Sequence, residues 1–414
     1  MHTKLTLPDE FLPPDYADGS IANIPATVAG LLDVPFAGLP PLRREIWQPL
    51  GGDVKRVVLL ILDSLGWQMV ERERPSFTNL MAGKTAVLHP ITSIFPSTTV
   101  AALSSYWTGV GPAQHGLLGL RLFTPEYSTI TQFIHFTPDF GRYPDALIDA
   151  GMKPEAFLDA PGVAEQLAAG GVPTYRFKGY ELINSALSQM HGRGVTESYP
   201  AITSSDMFVQ MRQFMEAKAG ERMFVAAYWP TIDTLMHRHG WTHASVTAEM
   251  HALFRQLKGE FLDALSAEAR AGTVFLMAAD HGQTICPPAH YIKLSDHPEL
   301  QNMLLMQPAG EPRVLYFYAR QGRQQDVISY LREHFSHAMY VLTGEEALSA
   351  GLMGPQPHSP HATVRVGDVV GIMRQDYAFM TENDLAYADR LFGRHGGMTR
   401  LEMSVPFMGV RLDS

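Results

Sequence analysis

Asp233 and His237 stand four residues apart in Asp233-Thr234-Leu235-Met236-His237. On a helical turn that spacing puts a carboxylate and an imidazole on one face, where both can converge on a metal ion. Asp280-His281-Gly282 offers a second pair. Its glycine permits a sharp turn that lets neighbouring side chains reach one cation. Asp63 closes an apolar stretch, with Ser64 beside it; a carboxylate at the end of a buried strand needs a counter-charge, and a divalent cation is one way to supply it. His395 lies in Gly393-Arg394-His395-Gly396-Gly397, a glycine-rich turn. Singly, each has a plainer account: a helix N-cap, a surface histidine, an ordinary turn, a loop histidine. Together, three Asp and three His make six hard or borderline ligands, enough for two zinc-like ions. Thr98 and Thr99 sit at the start of a predicted helix, where free N–H groups and the helix dipole favour an anion. Metal coordination can turn such a hydroxyl into a nucleophile. Two ions about 4 Å apart bracket the attacking and leaving oxygens of a phosphoryl displacement.

The elements that must position these groups follow one grammar. Residues 57–62 form a continuous apolar run, the mark of a strand buried on both faces, and a helical stretch follows Asp63 through Met81. Residues 86–94 read as a strand, then comes the turn Phe95-Pro96-Ser97-Thr98-Thr99, then a helix over 100–108 closed by Gly109. A strand over 223–228 precedes Asp233; apolar residues at helical spacing predict one long helix over 242–271; a strand over 273–279 runs into Asp280. Alternating strands and helices predict an α/β fold, a mostly parallel central sheet with helices on both faces. Ligand sites in such sheets lie at the carboxyl ends of strands, and four predicted strand ends carry Asp63, Thr98-Thr99, Asp233 and Asp280-His281.

Around that core the pattern predicts a proline-rich N-terminal arm over 1–53, lying on the surface with a short helix at 25–32. The catalytic domain is expected over 54–312 and 380–414, with 120–213 as an insertion over the site and 313–379 as a small α+β subdomain. A chain of 414 residues that is 46% hydrophobic and 18% charged can bury a large core. Its net charge of −10, without a Lys/Arg cluster, disfavours a nucleic-acid polymer or an anionic membrane as partner. One cysteine, Cys286, excludes an internal disulfide and a multi-cysteine metal site. The first residues lack a signal-peptide core, and no apolar run reaches the roughly 20 residues that span a bilayer. A cytoplasmic protein acting on a small phosphorylated substrate is expected, and a homo-oligomer is compatible with the sequence.

The motifs resemble the alkaline phosphatase superfamily, and within it the type I phosphodiesterase/nucleotide pyrophosphatase family. The matching pieces are Leu62-Asp63-Ser64-Leu65-Gly66, Phe95-Pro96-Ser97-Thr98-Thr99, Thr108-Gly109-Val110-Gly111-Pro112 with His115-Gly116, Asp233 with His237, Asp280-His281-Gly282, and His395-Gly396-Gly397. The resemblance implies an alkaline phosphatase-like fold and two divalent ions, zinc by expectation. Asp63, Asp280, His281 and the nucleophile would hold one; Asp233, His237 and His395 would hold the other. In the family the nucleophile lies three residues after the proline and nine before the Thr-Gly turn. Thr99 meets both counts, leaving Thr98 a structural role. The implied activity is hydrolysis of phosphodiesters or nucleotide pyrophosphates through a phospho-threonine intermediate.

One departure matters: where family phosphodiesterases carry an Asn that binds a phosphoryl oxygen, this chain has Ala101 and Ala102. Arg121 is a candidate substitute, with a surface arginine the plainer account. The alternatives are a phosphonoacetate hydrolase-like phosphonate hydrolase, which shares the metal set, and a non-enzymatic binder of phosphorylated ligands. The intact ligand set argues against the binder. A cofactor-independent mutase would use serine, and a sulfatase would carry the Cys/Ser-x-Pro-x-Arg signature, which is missing. His358 and His361 in a proline-rich loop, Cys286 as a small apolar filler, and Tyr106, Trp107, Tyr228 and Trp229 as core aromatics complete the reading.

Overall fold

The computed structural model describes residues 5–141, 143–388 and 390–414. Its central sheet has seven strands: β1 (Arg56–Leu62), β2 (Ala86–Thr92), β3 (Thr174–Gly179), β4 (Glu197–Ala201), β5 (Met223–Trp229), β6 (Thr273–Ala278) and β7 (Ser404–Arg411). Their spatial order is β2-β7-β6-β1-β5-β3-β4. β1 pairs parallel with β5 and β6, and β3 parallel with β5 and β4. β7 runs antiparallel between β2 and β6. β1, β5 and β6 are buried at every position, as their unbroken apolar runs require.

Helix α1 (Ile24–Leu31) packs on α2 (Thr99–Thr108), and α3 (Thr231–His239) packs with α4 (Ala244–Gln256); α2 and α3 carry candidate site residues. α2 is buried from Val100 to Thr108 and ends at Gly109, whose φ of +71° is a left-handed cap that lets its N–H reach the Ser105 carbonyl. The helix predicted to run unbroken to 271 instead stops at Gln256. A π-helical turn follows over Leu257–Leu262, and a separate helix over Ala267–Arg270 is capped by the Ser266 hydroxyl, which accepts from the Ala269 amide.

The N-terminal segment departs from the expected surface arm. Ile21, Ile24, Val28, Leu32, Leu42 and Leu50 are buried in the same cluster as β1 and β6. Its prolines hide an almost wholly apolar helix. Within 120–213, the stretch Arg121–Thr124, Thr129–Gln132 and Thr137–Pro138 forms a small antiparallel sheet, whereas β3 and β4 complete the edge of the main sheet. β3 escaped the apolar-run criterion because Arg176 and Lys178 alternate with its aromatics. Both are buried: Arg176 Nη1 donates to the Ser188 carbonyl at 2.7 Å and Lys178 Nζ to the Ser188 hydroxyl at 2.8 Å.

A second, four-stranded antiparallel sheet orders Ala309–Glu311, Val314–Phe317, Val369–Met373 and Met339–Thr343, with the helix Gln324–Phe335 packed on it. Its first strand precedes the predicted boundary at 313, and that strand carries Glu311. Among the described residues no helix is long and apolar enough to cross a membrane.

Candidate active site

Because β6, β1 and β5 are adjacent, their carboxyl ends deliver Asp280-His281, Asp63 and the start of α3, with Asp233, to one short edge of the sheet. β7 runs against its neighbours, so its first residue, Ser404, lies opposite Thr92 at the end of β2. The preceding segment therefore arrives at the same edge and brings His395 to α2.

Seven sequence-predicted residues meet there. Thr99 Oγ1 lies 3.1 Å from His281 Nε2. That nitrogen is 3.6 Å from Asp63 Oδ1 and 3.4 Å from Asp280 Oδ2. Asp233 Oδ1 lies 3.4 Å from His237 Nε2 and 4.0 Å from His395 Nε2. The rings of His281 and His395 stack with centroids 3.9 Å apart, and His237 and His395 are 5.0 Å apart. Thr98, one residue away, is the buried residue that precedes the first turn of α2.

The donor set fits divalent cations. Asp63 Oδ1 and Asp280 Oδ2 are buried without a hydrogen-bond partner, an arrangement that a cation resolves. Burial, with Asp280 and Asp233 nearby, pushes the Asp63 carboxyl well above its ordinary range; a bound cation reverses that pressure. Ligand atoms of Asp63, Asp280 and His281 lie within 4.8 Å of one another, as do those of Asp233, His281 and His395. His237 Nδ1 faces the Gly393 carbonyl at 2.7 Å and His395 Nδ1 faces the Ser97 carbonyl at 3.2 Å, contacts that leave each Nε2 turned to Asp233. Burial and the imidazoles of His281 and His237 keep His395 neutral, the form a metal ligand needs.

Several groups around this set escaped the sequence reading. Ser64, at φ +61°, donates its hydroxyl to Asp233 Oδ1 at 2.6 Å and its amide to Asp280 Oδ1 at 3.0 Å. Its place beside Asp63 was the available signal. Gln283 Nε2 donates to Asp233 Oδ1 at 2.5 Å. The Tyr228 hydroxyl donates to Asp63 Oδ2, so this residue is a polar partner as well as a core aromatic. Glu311 Oε2 lies 3.5 Å from His395 Nδ1, and burial pushes its carboxyl up to about 8. No local pattern marks Glu311, because it reaches the site from the second sheet.

Other candidates lie elsewhere or have different work. Arg121 is buried rather than on the surface, and it is already engaged: Nη2 lies 3.0 Å from Asp384 Oδ1 and Nε donates to the Gly310 carbonyl at 3.0 Å. Ala101 and Ala102 are buried in α2. His358 Nε2 faces the Gly354 carbonyl at 3.2 Å, and His361 faces Glu126 at 3.6 Å, both outside the cluster. The Tyr106 hydroxyl donates to the Ala279 carbonyl at 2.9 Å, Trp107 and Trp229 are buried, and Cys286 packs with Ala378 and Met380.

The model of the family described as type I phosphodiesterase / nucleotide pyrophosphatase matches residues 57–398. No curated protein sequence is significantly similar to this chain. Among solved structures, murine ectonucleotide pyrophosphatase / phosphodiesterase 5 is 17% identical, with 85% of this chain and 87% of that chain covered and a TM-score of 0.63. An inactive form of that murine protein in complex with AMP is 16% identical, with 86% and 87% covered and a TM-score of 0.63. Phosphonoacetate hydrolase from Sinorhizobium meliloti 1021 in complex with phosphonoformate is 18% identical, with 85% and 89% covered and a TM-score of 0.61. At these identities the likeness is one of fold.

Proposed function

From the premise that this chain belongs to the type I phosphodiesterase / nucleotide pyrophosphatase family, a family of hydrolytic enzymes, we propose that it hydrolyses phosphodiesters or nucleotide pyrophosphates with Thr99 as nucleophile. The observation that carries the reading is Thr99 Oγ1 at 3.1 Å from His281 Nε2, beside two buried carboxylates with unpartnered oxygens. Asp63, Thr99, Asp280 and His281 would hold one divalent ion, and Asp233, His237 and His395 the other; nitrogen and oxygen donors of this kind suit zinc. Bound there, the pair would supply Lewis-acid stabilisation of charge developing on phosphoryl oxygens.

The chain's own groups supply the rest. Thr99 opens the ten-residue helix α2, so first-turn amides and the helix dipole face the phosphoryl group. The Thr99 hydroxyl gives up its proton to solvent, its oxygen bonds to phosphorus, and the bond to the leaving oxygen breaks, that oxygen taking a proton from solvent as the alcohol or nucleotide departs. Water then attacks the phospho-threonine, releasing the phosphoryl product and restoring the hydroxyl. With alanine at 102, no side-chain amide assists at that position, and the backbone amides carry that part.

A second reading is phosphonate hydrolysis, in which the bond broken is C–P; it would use the same set of candidate metal ligands and is the activity named for a solved structure of similar fold. The test is a turnover panel on zinc-loaded protein: an aryl phosphodiester, an aryl phosphomonoester and phosphonoacetate. A tenfold or greater diester preference is expected; preference for phosphonoacetate would install the second reading. Turnover of none of the three would favour a binder of phosphorylated ligands. Thr99→Ala should abolish turnover while metal content stays at two per chain, and full residual activity would remove Thr99 from its role.

A further inference from the structure

Next to the catalytic edge, a cavity of about 530 Å³ lies between the small sheet around Arg121 and the segment carrying Asn383, Asp384 and Tyr387. Arg394, the residue before His395, lines it. This side chain is only 5% exposed, and its Nε and Nη2 are buried without a hydrogen-bond partner. The guanidinium carbon lies 5.4 Å from the centroid of the Tyr291 ring. That ring covers one face of the cation, so the in-plane N–H edge is what remains to bind.

The acids on the cavity wall are occupied. Asp384 lies 3.0 Å from Arg121, which also draws Asp139 to 3.9 Å; Asp384 further accepts from Thr381, and Asp139 accepts from Asn383 at 2.7 Å. With both aspartates taken up by other groups, no carboxylate among the described residues pairs with Arg394. A buried guanidinium edge in that state is shaped for a carboxylate or phosphate, which takes two parallel N–H bonds. The cavity adjoins the phosphoryl site on two sides: through Arg394, and through Arg121, whose Nε bonds the carbonyl of Gly310 beside Glu311.

We propose that Arg394 anchors an oxyanion subsite, so that the favoured substrates carry a second carboxylate or phosphate on an arm of the scissile phosphate or phosphonate. The proposal rests on the hydrolase reading for its substrate, but the subsite can be tested without turnover.

Three diesters separate the cases: p-nitrophenyl phenyl phosphate and its analogues bearing a carboxylate or a phosphate on the phenyl ring. The zinc-loaded wild type should favour one or both analogues by roughly tenfold or more in kcat/KM, the scale of one charge-assisted pair. The analogue favoured identifies the oxyanion. Arg394→Gln should collapse that ratio toward one, mainly through KM, and Arg394→Lys should keep part of it because it preserves the charge but not the fork. Circular dichroism of both variants checks folding. An absent preference in wild type, or an unchanged ratio in Arg394→Gln, overturns the subsite and leaves the hydrolase reading standing.

If wild type turns over none of the three, the diester reading falls separately. Calorimetric titration of chelator-treated protein with inorganic phosphate and with malonate then decides the subsite. Binding of either that weakens at least tenfold in Arg394→Gln supports it; equal binding to both proteins, or none to wild type, overturns it.

Discussion

Glu402 has no solvent exposure and five donors converge on its carboxylate. Arg313 Nε and Nη2 each donate at 2.9 Å, the Gly397 amide at 2.9 Å, and the Thr399 amide and hydroxyl at 3.2 and 2.6 Å. The arrangement ties the second sheet, through Arg313, to the turn that carries His395. Glu402→Gln preserves the shape, but it removes the charge and turns one acceptor into a donor facing donors. Breaking a buried ion pair from one side costs about 3–5 kcal/mol. Each amide left unsatisfied adds about 1–3 kcal/mol, though these contributions overlap and do not sum. We expect a net loss of about 3–5 kcal/mol, a large share of the 5–15 kcal/mol that typically holds a native state. The variant should melt on the order of 3–6 °C lower, measured by tryptophan fluorescence. Arg313→Met combined with Glu402→Gln removes both charges and should be more stable than Glu402→Gln alone, because no guanidinium is then buried without its partner. A Glu402→Gln protein within 1 kcal/mol of wild type would refute the reasoning, as would a double variant whose loss equals the sum of the singles.

Three further outcomes follow from the site. Zinc at about a hundredfold excess over its Kd should stabilise the protein by about 2.7 kcal/mol, seen as a rise in melting temperature that a chelator reverses; no shift would mean that no ion binds the folded state. Asp63→Asn should lower metal content toward one ion per chain. In chelator the same variant should be more stable than wild type by about 0.5–2 kcal/mol, since the buried carboxyl facing Asp280 and Asp233 is then neutral; a less stable apo variant would count against that account. Gly396 has φ +108°, and a Cβ there would stand 2.5 Å from Glu311 Cδ, so Gly396→Ala should cost about 1–3 kcal/mol in backbone strain alone and displace His395. Equilibrium unfolding and metal content of that variant check both parts.

Asp63, Asp280 and His281 were legible because each lies within three residues of the end of a strand whose unbroken apolar run announces burial, and chain order alone places them at a carboxyl edge. Asp233 and His237 were legible because helical spacing is a local fact. Glu311 and the Tyr228 hydroxyl were not. Whether Tyr228 reaches Asp63 depends on β5 lying beside β1 in a register that pairs Ile61 with Tyr228, and no short pattern encodes that. β3 was hidden for a different reason: burying Arg176 and Lys178 takes partners from the segment around Ser188, so its sequence reads as polar although its position is interior. The segment over 21–50 shows the converse, since its prolines suggest a loose arm while its isoleucines, valines and leucines enter the main core.

His395 shows what joins these cases. Its nearest backbone partner, Ser97, is 298 residues away, and the turn between them could approach the site from either end of the sheet. The direction of β7 decides it. Were β7 parallel to its neighbours, its first residue would sit at the far edge, and the segment containing His395 would enter on the side away from Asp233. An antiparallel β7 instead starts at the candidate catalytic edge, opposite Thr92, and the Arg313–Glu402 pair and the Ser97 contacts then fix the turn in place. One reversed strand thus supplies the last residue of the second candidate metal site, and with it Arg394, so the charge proposed to bind and the imidazole proposed to coordinate are delivered by the same turn.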